Sequence, residues 1–243
     1  MAKISAGSYD LNKWLFGGYD SDIVNVIYGG PGSGKTNFCM LAAVSQAKKG
    51  NKVIFIDTEG GFSVERVKQL ANGDVDYKKV LENIILFSPS NFNEQKEAFL
   101  KLKSFLKDQI SLIIVDSMTI LYRLDISSLK NLDDPDVCMD EKNDKGNKEV
   151  QRINFVLAEQ MKNLAEIARK NKIPVLVTNQ VYRWNDEIRM VGGDILHYWG
   201  KCLIELKNDF GKRTAFLRKH RSLKEKDFPF QIVNSGIKKR GWI

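Results

Sequence analysis

Eight consecutive residues constrain this chain more than any other feature in it: Gly29-Gly30-Pro31-Gly32-Ser33-Gly34-Lys35-Thr36. Their spacing, G-x-x-x-x-G-K-[ST], is that of a loop that wraps phosphate oxygens in backbone N–H groups. Glycines permit the positive φ angles that turn successive N–H groups toward one anion. Such a loop needs a strand before it and a helix after it, because the partly positive helix N-terminus faces the same phosphate. Both neighbours can be read directly. Ile23–Tyr28 is an apolar run with the character of a buried strand, and Thr36–Lys49 follows with a helical pattern. Lys35 is placed to reach β- and γ-phosphates, and the Thr36 hydroxyl to ligate Mg²⁺.

The same alternation continues along the chain. Apolar, β-branched runs at Lys52–Asp57, Ile84–Phe87, Leu112–Asp116 and Ile173–Asn179 are separated by helical stretches near Ser63–Ala71, Asn93–Asp108 and Glu149–Lys170. In the last of these Val150, Ile153, Leu157, Met161, Leu164 and Ala168 recur at steps of three and four, one apolar stripe of a helix. Strands alternating with helices predict an α/β fold with a mainly parallel sheet. Past residue 200 the helical patterns stop. Lys201–Lys207, Arg213–Lys219 and Phe228–Val233 read as strands joined by short turns, which predicts antiparallel pairing at one edge of the sheet. Residues 124–148 fit neither pattern and read as a long loop, with seven acids and three lysines within 131–150.

Composition narrows the function classes. The longest apolar runs are far short of the ~20 residues that span a bilayer, so no membrane partner is expected. Met1-Ala2-Lys3-Ile4-Ser5 lacks the apolar stretch of a secretory signal. Cys39, Cys138 and Cys202 are odd in number and far apart, which argues against a disulfide framework and for a reducing, cytoplasmic setting. With two histidines and no Cys-x-x-Cys pair, no structural zinc site is expected. The net charge is +8, and residues 201–243, with twelve Lys/Arg against four acids, carry all of the surplus. A basic C-terminal fifth would attract a phosphate backbone; the alternative is an ordinary solvated face.

Two further segments complete a nucleotide site. Ser111-Leu112-Ile113-Ile114-Val115-Asp116 is an apolar strand ending in a carboxylate, which can hold Mg²⁺ beside the phosphate loop. Ile54-Phe55-Ile56-Asp57-Thr58-Glu59 places Glu59 just past a strand end, where α/β sheets bind their ligands, so Glu59 is the candidate general base. Asp57 sits closer to the strand, suited to support of the turn or the metal shell.

The chain-wide order of these segments resembles the RecA-type recombinase superfamily. The phosphate loop is followed by Asp57-Thr58-Glu59-Gly60, Phe62-Ser63-Val64-Glu65-Arg66, Ile113-Ile114-Val115-Asp116-Ser117, Leu121-Tyr122-Arg123-Leu124-Asp125, Val177-Thr178-Asn179-Gln180-Val181 and Gly192-Gly193-Asp194. In order and wording the set is similar to archaeal and eukaryotic strand-exchange recombinases over nearly the whole chain. The resemblance implies a RecA-like P-loop NTPase core: an α/β fold with a mostly parallel sheet flanked by helices and an antiparallel C-terminal edge. It implies ATP as the nucleotide, with Arg66 against the adenine ring. It also implies Gln180 as the strand-end amide that senses the γ-phosphate and passes that state to the adjoining loop. That loop, Tyr182 to Met190, offers Arg183, Trp184 and Arg189, a mixture of cation and aromatic ring suited to single-stranded DNA. Packing of the loop on the body by its aromatics is the alternative. The basic run Lys238-Lys239-Arg240 is a second candidate DNA contact. In related ATPases a Lys-x-Arg like Lys219-His220-Arg221 reaches the nucleotide of a neighbouring subunit; DNA-backbone contact or plain solvation is the alternative for Lys219 and Arg221.

Departures from the family point to one branch of it. The chain opens with Ser5-Ala6-Gly7-Ser8-Tyr9-Asp10 already at the edge of the core. The expectation is therefore a single RecA-like ATPase domain over 1–243, without the N-terminal helical DNA-binding domain and polymerisation segment of the strand-exchange enzymes. Where their first DNA-binding loop is basic, the 131–150 stretch is acidic. These features resemble a core-only archaeal branch. That branch implies ATP and Mg²⁺ binding, weak ATPase activity and binding of single-stranded or branched DNA without strand exchange. It further implies work beside the RadA recombinase and a Holliday-junction resolvase, and leaves a homo-oligomer open. Two other readings stand at this point: a ring-forming RecA-fold ATPase or motor of the DnaB/KaiC kind, and a ligand-switched adaptor without useful catalysis.

Overall fold

The computed structural model describes residues 2–73, 76–107, 109–129, 144–185 and 187–241. Strands β1 (Lys3–Ile4) and β2 (Tyr19–Asp20) pair antiparallel around helix α1 (Tyr9–Trp14). There follow β3 (Val24–Gly29), α2 (Lys35–Ala47), β4 (Lys52–Asp57), α3 (Val64–Ala71), α4 (Tyr77–Glu82), β5 (Ile84–Phe87), α5 (Phe92–Phe105) and β6 (Ile110–Asp116). Next come α6 (Ile120–Leu129), α7 (Asp144–Asn171), β7 (Val175–Asn179), a hairpin of β8 (Val181–Trp184) and β9 (Glu187–Met190), and α8 (Gly193–Trp199). The chain closes with β10 (Gly200–Asp209), β11 (Lys212–His220), β12 (Lys226–Val233) and β13 (Gly236–Lys239).

One nine-stranded sheet organises the molecule, in the order β13-β12-β11-β10-β3-β7-β6-β4-β5. From β10 through β5 every neighbour is parallel; β10 to β13 pair antiparallel. The expected fold class is therefore the observed one. Alternation of side chains explains why both faces are covered. Val53 and Phe55 pack with α1 to α4, whereas Ile54 and Ile56 pack with α5 to α8. Leu112 and Ile114 likewise oppose Ile113 and Val115. Each such side chain, fully buried, contributes about 1.5–3 kcal/mol of transfer free energy. The functional consequence is directional. Because β3, β4, β6 and β7 run parallel, Gly29, Asp57, Asp116 and Asn179 all emerge at the same edge of the sheet.

Three expectations need correction. The segment 124–148 is not a loop throughout: α6 runs to Leu129 and α7 begins at Asp144, while 130–143 lie outside the described residues. Helix α6 escapes sequence reading because Leu124 and Leu129 are exposed, 58% and 41%, leaving no clean apolar stripe. Residues 181–190 form a two-stranded ribbon rather than a loop, turning at Asn185 with φ of 46°. Finally, Lys238 and Lys239 belong to a fourth antiparallel strand, β13, at the sheet's outer edge.

Candidate nucleotide-binding site

At the end of β3, Gly29 stands where a side chain cannot go. A Cβ on Gly29 would lie 2.2 Å from the Leu206 carbonyl oxygen of the adjacent strand. Lys35 is buried, and its ammonium donates to the carbonyls of Gly29, 2.9 Å, and Gly30, 3.0 Å. Those bonds hold Nζ over the mouth of the loop. Burial lowers the Lys35 pKa, opposed by the nearby carboxylates of Glu59 and Asp116. The Ser33 hydroxyl is buried and has no hydrogen-bond partner among the described residues.

Asp116 ends β6 beside the loop and is 1% exposed. Its Oδ1 accepts a short hydrogen bond from the Thr178 hydroxyl. Oδ2 lies on the Thr36 side and has no partner of good hydrogen-bond geometry. Burial raises the Asp116 pKa, the Thr178 and Thr36 hydroxyls lower it, and the negative charges of Glu59 and Asp57 raise it again. A cation at this point relieves that repulsion.

Glu59 leaves β4 through a turn built by Asp57. The Asp57 carboxylate accepts the backbone N–H of Glu59, 3.3 Å, Gly61, 3.0 Å, and Phe62, 2.9 Å. Asp57 therefore shapes the turn, one of the two roles expected of it. Thr58 locks the same turn to the end of β6. Its hydroxyl donates to the Ser117 carbonyl and accepts the Ser117 N–H, both at 2.7 Å. The Gln180 amide Nε2 donates to Glu59 Oε1 at 3.0 Å, and β8 starts at the next residue. The candidate base and the candidate sensor are thus in direct contact.

The other predicted residues are placed more widely. Arg66 lies on α3 and donates to Gln69 Oε1, 2.8 Å, and the Asn234 carbonyl, 3.2 Å; its Nε and Nη2 are buried without partners. On the hairpin Tyr182 faces Arg189 and Arg183 faces Ile188, so the two arginines lie on opposite faces of the ribbon. The Trp184 side chain lies outside the described residues. A hollow lined by Gly30, Pro31, Ser33, Val181 and Ile188 separates the ribbon from the phosphate loop. Lys238 and Lys239 lie on β13 and Arg240 just past it, at the outer edge of the sheet, three positions from β10, whose Glu205–Asp209 line the same hollow as Val181 and Ile188.

Lys219 and Arg221 sit at the opposite end of the sheet from their own phosphate loop. His220 pairs with Cys202, at the start of β10, whereas Leu206 is level with Gly29. Arg221 donates to Asp20 Oδ2 at 3.0 Å and to both Asp22 oxygens at 2.9 and 2.5 Å, and Lys219 donates to the His197 carbonyl at 2.8 Å. Both cations are therefore engaged within the chain. Sequence reading missed Thr58 and Thr178, whose signal was only their position inside the family wording. It also missed Asn208 and Arg213, which reach the Gly32 carbonyl.

The residues fit Mg²⁺ and a nucleoside triphosphate. The buried, unpartnered Ser33 Oγ and Asp116 Oδ2 and the buried Lys35 ammonium form the donor and acceptor set that such a ligand would complete. Among the described residues no three acidic, histidine or cysteine side chains converge on one point. A Thr36–Asp116 pair is instead what Mg²⁺ accepts when phosphates and waters fill its other positions. Among the described residues no helix is long and apolar enough to cross a membrane.

Comparison with known proteins agrees with this geometry. The Rad51 family profile matches residues 1–240. The chain is 38% identical over 227 residues to the DNA repair and recombination protein RadB of Methanocaldococcus jannaschii, covering 93% of this chain and 98% of that one. It is 39% identical over 238 residues to the RadB protein of Methanobrevibacter smithii, covering 93% and 92%. A crystal structure of the RadB recombinase superposes with a TM-score of 0.75 at 32% identity, over 98% of this chain and 100% of the other. Loop, strand-end carboxylates and sheet order therefore have one common explanation: the chain belongs to the Rad51 family.

Proposed function

We propose that this chain is an ATP- and DNA-binding accessory protein of homologous recombination and DNA repair, with slow Mg²⁺-dependent hydrolysis of ATP to ADP and phosphate. The observation that carries the reading is the 3.0 Å hydrogen bond between Gln180 and Glu59, because it ties the nucleotide end of the sheet to the ribbon that starts at Val181. Mg²⁺, when bound, would supply positive charge to the phosphate group, with Thr36 and Asp116 as the residues that would hold it. The protein's own groups supply the rest. Loop N–H groups and the Lys35 ammonium bind phosphate. Glu59 orients a water and accepts its proton, and Gln180 holds the Glu59 carboxylate in place. The same amide can report on the γ-phosphate through its own donor and acceptor.

The ribbon is the proposed DNA element, with Arg183, Trp184 and Arg189 gripping single-stranded or branched substrates; Lys238, Lys239 and Arg240 form a second contact. The relatives' names place them in DNA repair and recombination, which supports work beside a RadA-type recombinase and a Holliday-junction resolvase. The test is DNA affinity on single-stranded, duplex and branched substrates, each with no nucleotide, ADP and ATP. Affinity is expected to differ between ADP and ATP, and Arg183→Ala with Trp184→Ala to weaken single strands more than duplex, since stacking of an open base contributes ~1–3 kcal/mol. Nucleotide-independent affinity on all three substrates would contradict the coupling.

A further inference from the structure

The turn between β10 and β11 reaches back to the phosphate loop. Gly32 Oxygen, the backbone carbonyl, accepts three donors: Asn208 Nδ2, Arg213 Nε and Arg213 Nη2, each at 3.3 Å. Asn208 and Arg213 are direct partners across the β10–β11 ladder, so the two side chains arrive together on a rigid element. The turn beyond them is held by the Gly211 N–H donating to Asn208 Oδ1 at 3.0 Å.

The consequence follows from peptide geometry. In a trans peptide the C=O and N–H point in opposite directions. The Gly32 carbonyl is held outward by its three donors, so the Ser33 N–H of the same peptide points inward. There it donates to the Gly30 carbonyl at 3.3 Å, within the loop. Gly32 has φ of 66°, and a glycine resists rotation of this peptide less than any other residue. Rotated the other way, the same unit would lose its Ser33 N–H bond to Gly30 and present a carbonyl oxygen, which repels phosphate.

We propose that Asn208 and Arg213 are positioning residues of the phosphate loop, fixing the Gly32–Ser33 peptide so that the Gly32 carbonyl stays turned toward the β10–β11 turn and away from bound phosphate. The inference rests on the ATP-site reading above. Neither residue needs to touch the nucleotide. Arg213 adds a positive charge at the back of the loop, while Asn208 adds none, which allows geometry to be separated from charge.

The test is calorimetric titration of the full chain with Mg·ATP, with ATPase rates and melting curves for each variant. Asn208→Ala and Arg213→Gln should each weaken Mg·ATP binding about tenfold, the loss expected of one removed hydrogen-bonding group. Arg213→Lys keeps the charge but not the fork and should fall between Arg213→Gln and wild type. ATPase rates measured across ATP concentration should show half-saturation raised by a like factor. Melting temperatures close to wild type would separate a loss of affinity from a loss of fold. If Asn208→Ala binds as wild type and Arg213→Lys restores full affinity, Arg213 acts only by charge and the positioning role is overturned. If wild type binds Mg·ATP and neither Asn208→Ala nor Arg213→Gln weakens it, the inference fails while the site reading stands. If wild type itself does not bind Mg·ATP, the site reading fails first.

Discussion

At one end of the sheet, where β3, β4, β6 and β7 finish, charged groups are buried but left open. Among the described residues, Lys35 donates to backbone carbonyls, Asp116 has one bonded oxygen and one with no partner of good hydrogen-bond geometry, and the Ser33 hydroxyl has no partner. At the opposite end the carboxylates have counter-charges beside them, although Asp20 Oδ1, like Asp116 Oδ2, accepts no hydrogen bond of good geometry among the described residues. Asp20, 1% exposed, faces Lys3 at 3.1 Å, His220 at 3.5 Å and Arg221 at 3.0 Å, and Arg221 also grips Asp22. A buried charge with its counter-charges in place is part of the scaffold. Buried groups whose bonding capacity is unspent are where a ligand gains most. On this contrast the Lys219–Arg221 segment is an internal tie in the isolated chain, and any contact with a neighbouring subunit has to compete with Asp20 and Asp22.

The contrast can be broken from either side. The largest effect belongs to the open end. Glu59→Gln should keep ATP affinity and lose ~10²–10⁴-fold in hydrolysis, the usual range for a general base. Steady-state ATPase rates check it, and a wild-type rate would remove Glu59 from the chemistry. At the closed end Asp20→Ala should cost about 3 kcal/mol of stability by denaturant unfolding, the low end for a broken buried pair because Lys3 and Arg221 are partly exposed. Its Mg·ATP affinity should not move.

A smaller effect is pH-dependent. His220 Nδ1 accepts the backbone N–H groups of Ser222 and Leu223, both at 3.2 Å, so the ring is held as the neutral tautomer with its Nε2 toward Asp20. Burial lowers its pKa despite the favourable Asp20 carboxylate. With the folded value below the ordinary one near 6.5, the unfolded chain takes up the proton first. Stability from this group is complete above about pH 6.5 and falls as the pH drops from there toward the folded value. In His220→Asn, which has an acceptor in place of Nδ1, that slope should flatten in melts between pH 5 and 7. The smallest effect concerns the turn that carries the phosphate-loop contact. Phe210 is fully exposed at φ of 49°, a strained angle for a phenylalanine. Phe210→Asn should stabilise the chain by about 1 kcal/mol, read by denaturant unfolding.

Much of this was legible in the sequence. The phosphate loop, Glu59 and Asp116 are local patterns in strands and turns, and their neighbours in sequence carry the chemistry proposed for them. The parallel strands were legible because β-branched runs buried on both faces leave little else to do. What failed were features decided by distant contacts. Helix α6 exposes Leu124 and Leu129, and the ribbon at 181–190 is set by cross-strand pairing rather than by composition. Arg213 counted only as one positive charge among twelve in the C-terminal fifth; its reach to Gly32 depends on a strand order that places β10 beside β3. Arg221 read as a free cation because Asp20 and Asp22 lie 201 and 199 residues away in the chain.

The central claim is that the open end of the sheet is a nucleotide site and the closed end is not. Titration of Lys35→Ala with Mg·ATP, beside wild type, tests it most directly. The account predicts measurable binding to wild type, none to Lys35→Ala, and matching melting curves for the two proteins without nucleotide, since Lys35 bonds only to its own loop. Equal Mg·ATP affinity in Lys35→Ala and wild type would contradict it.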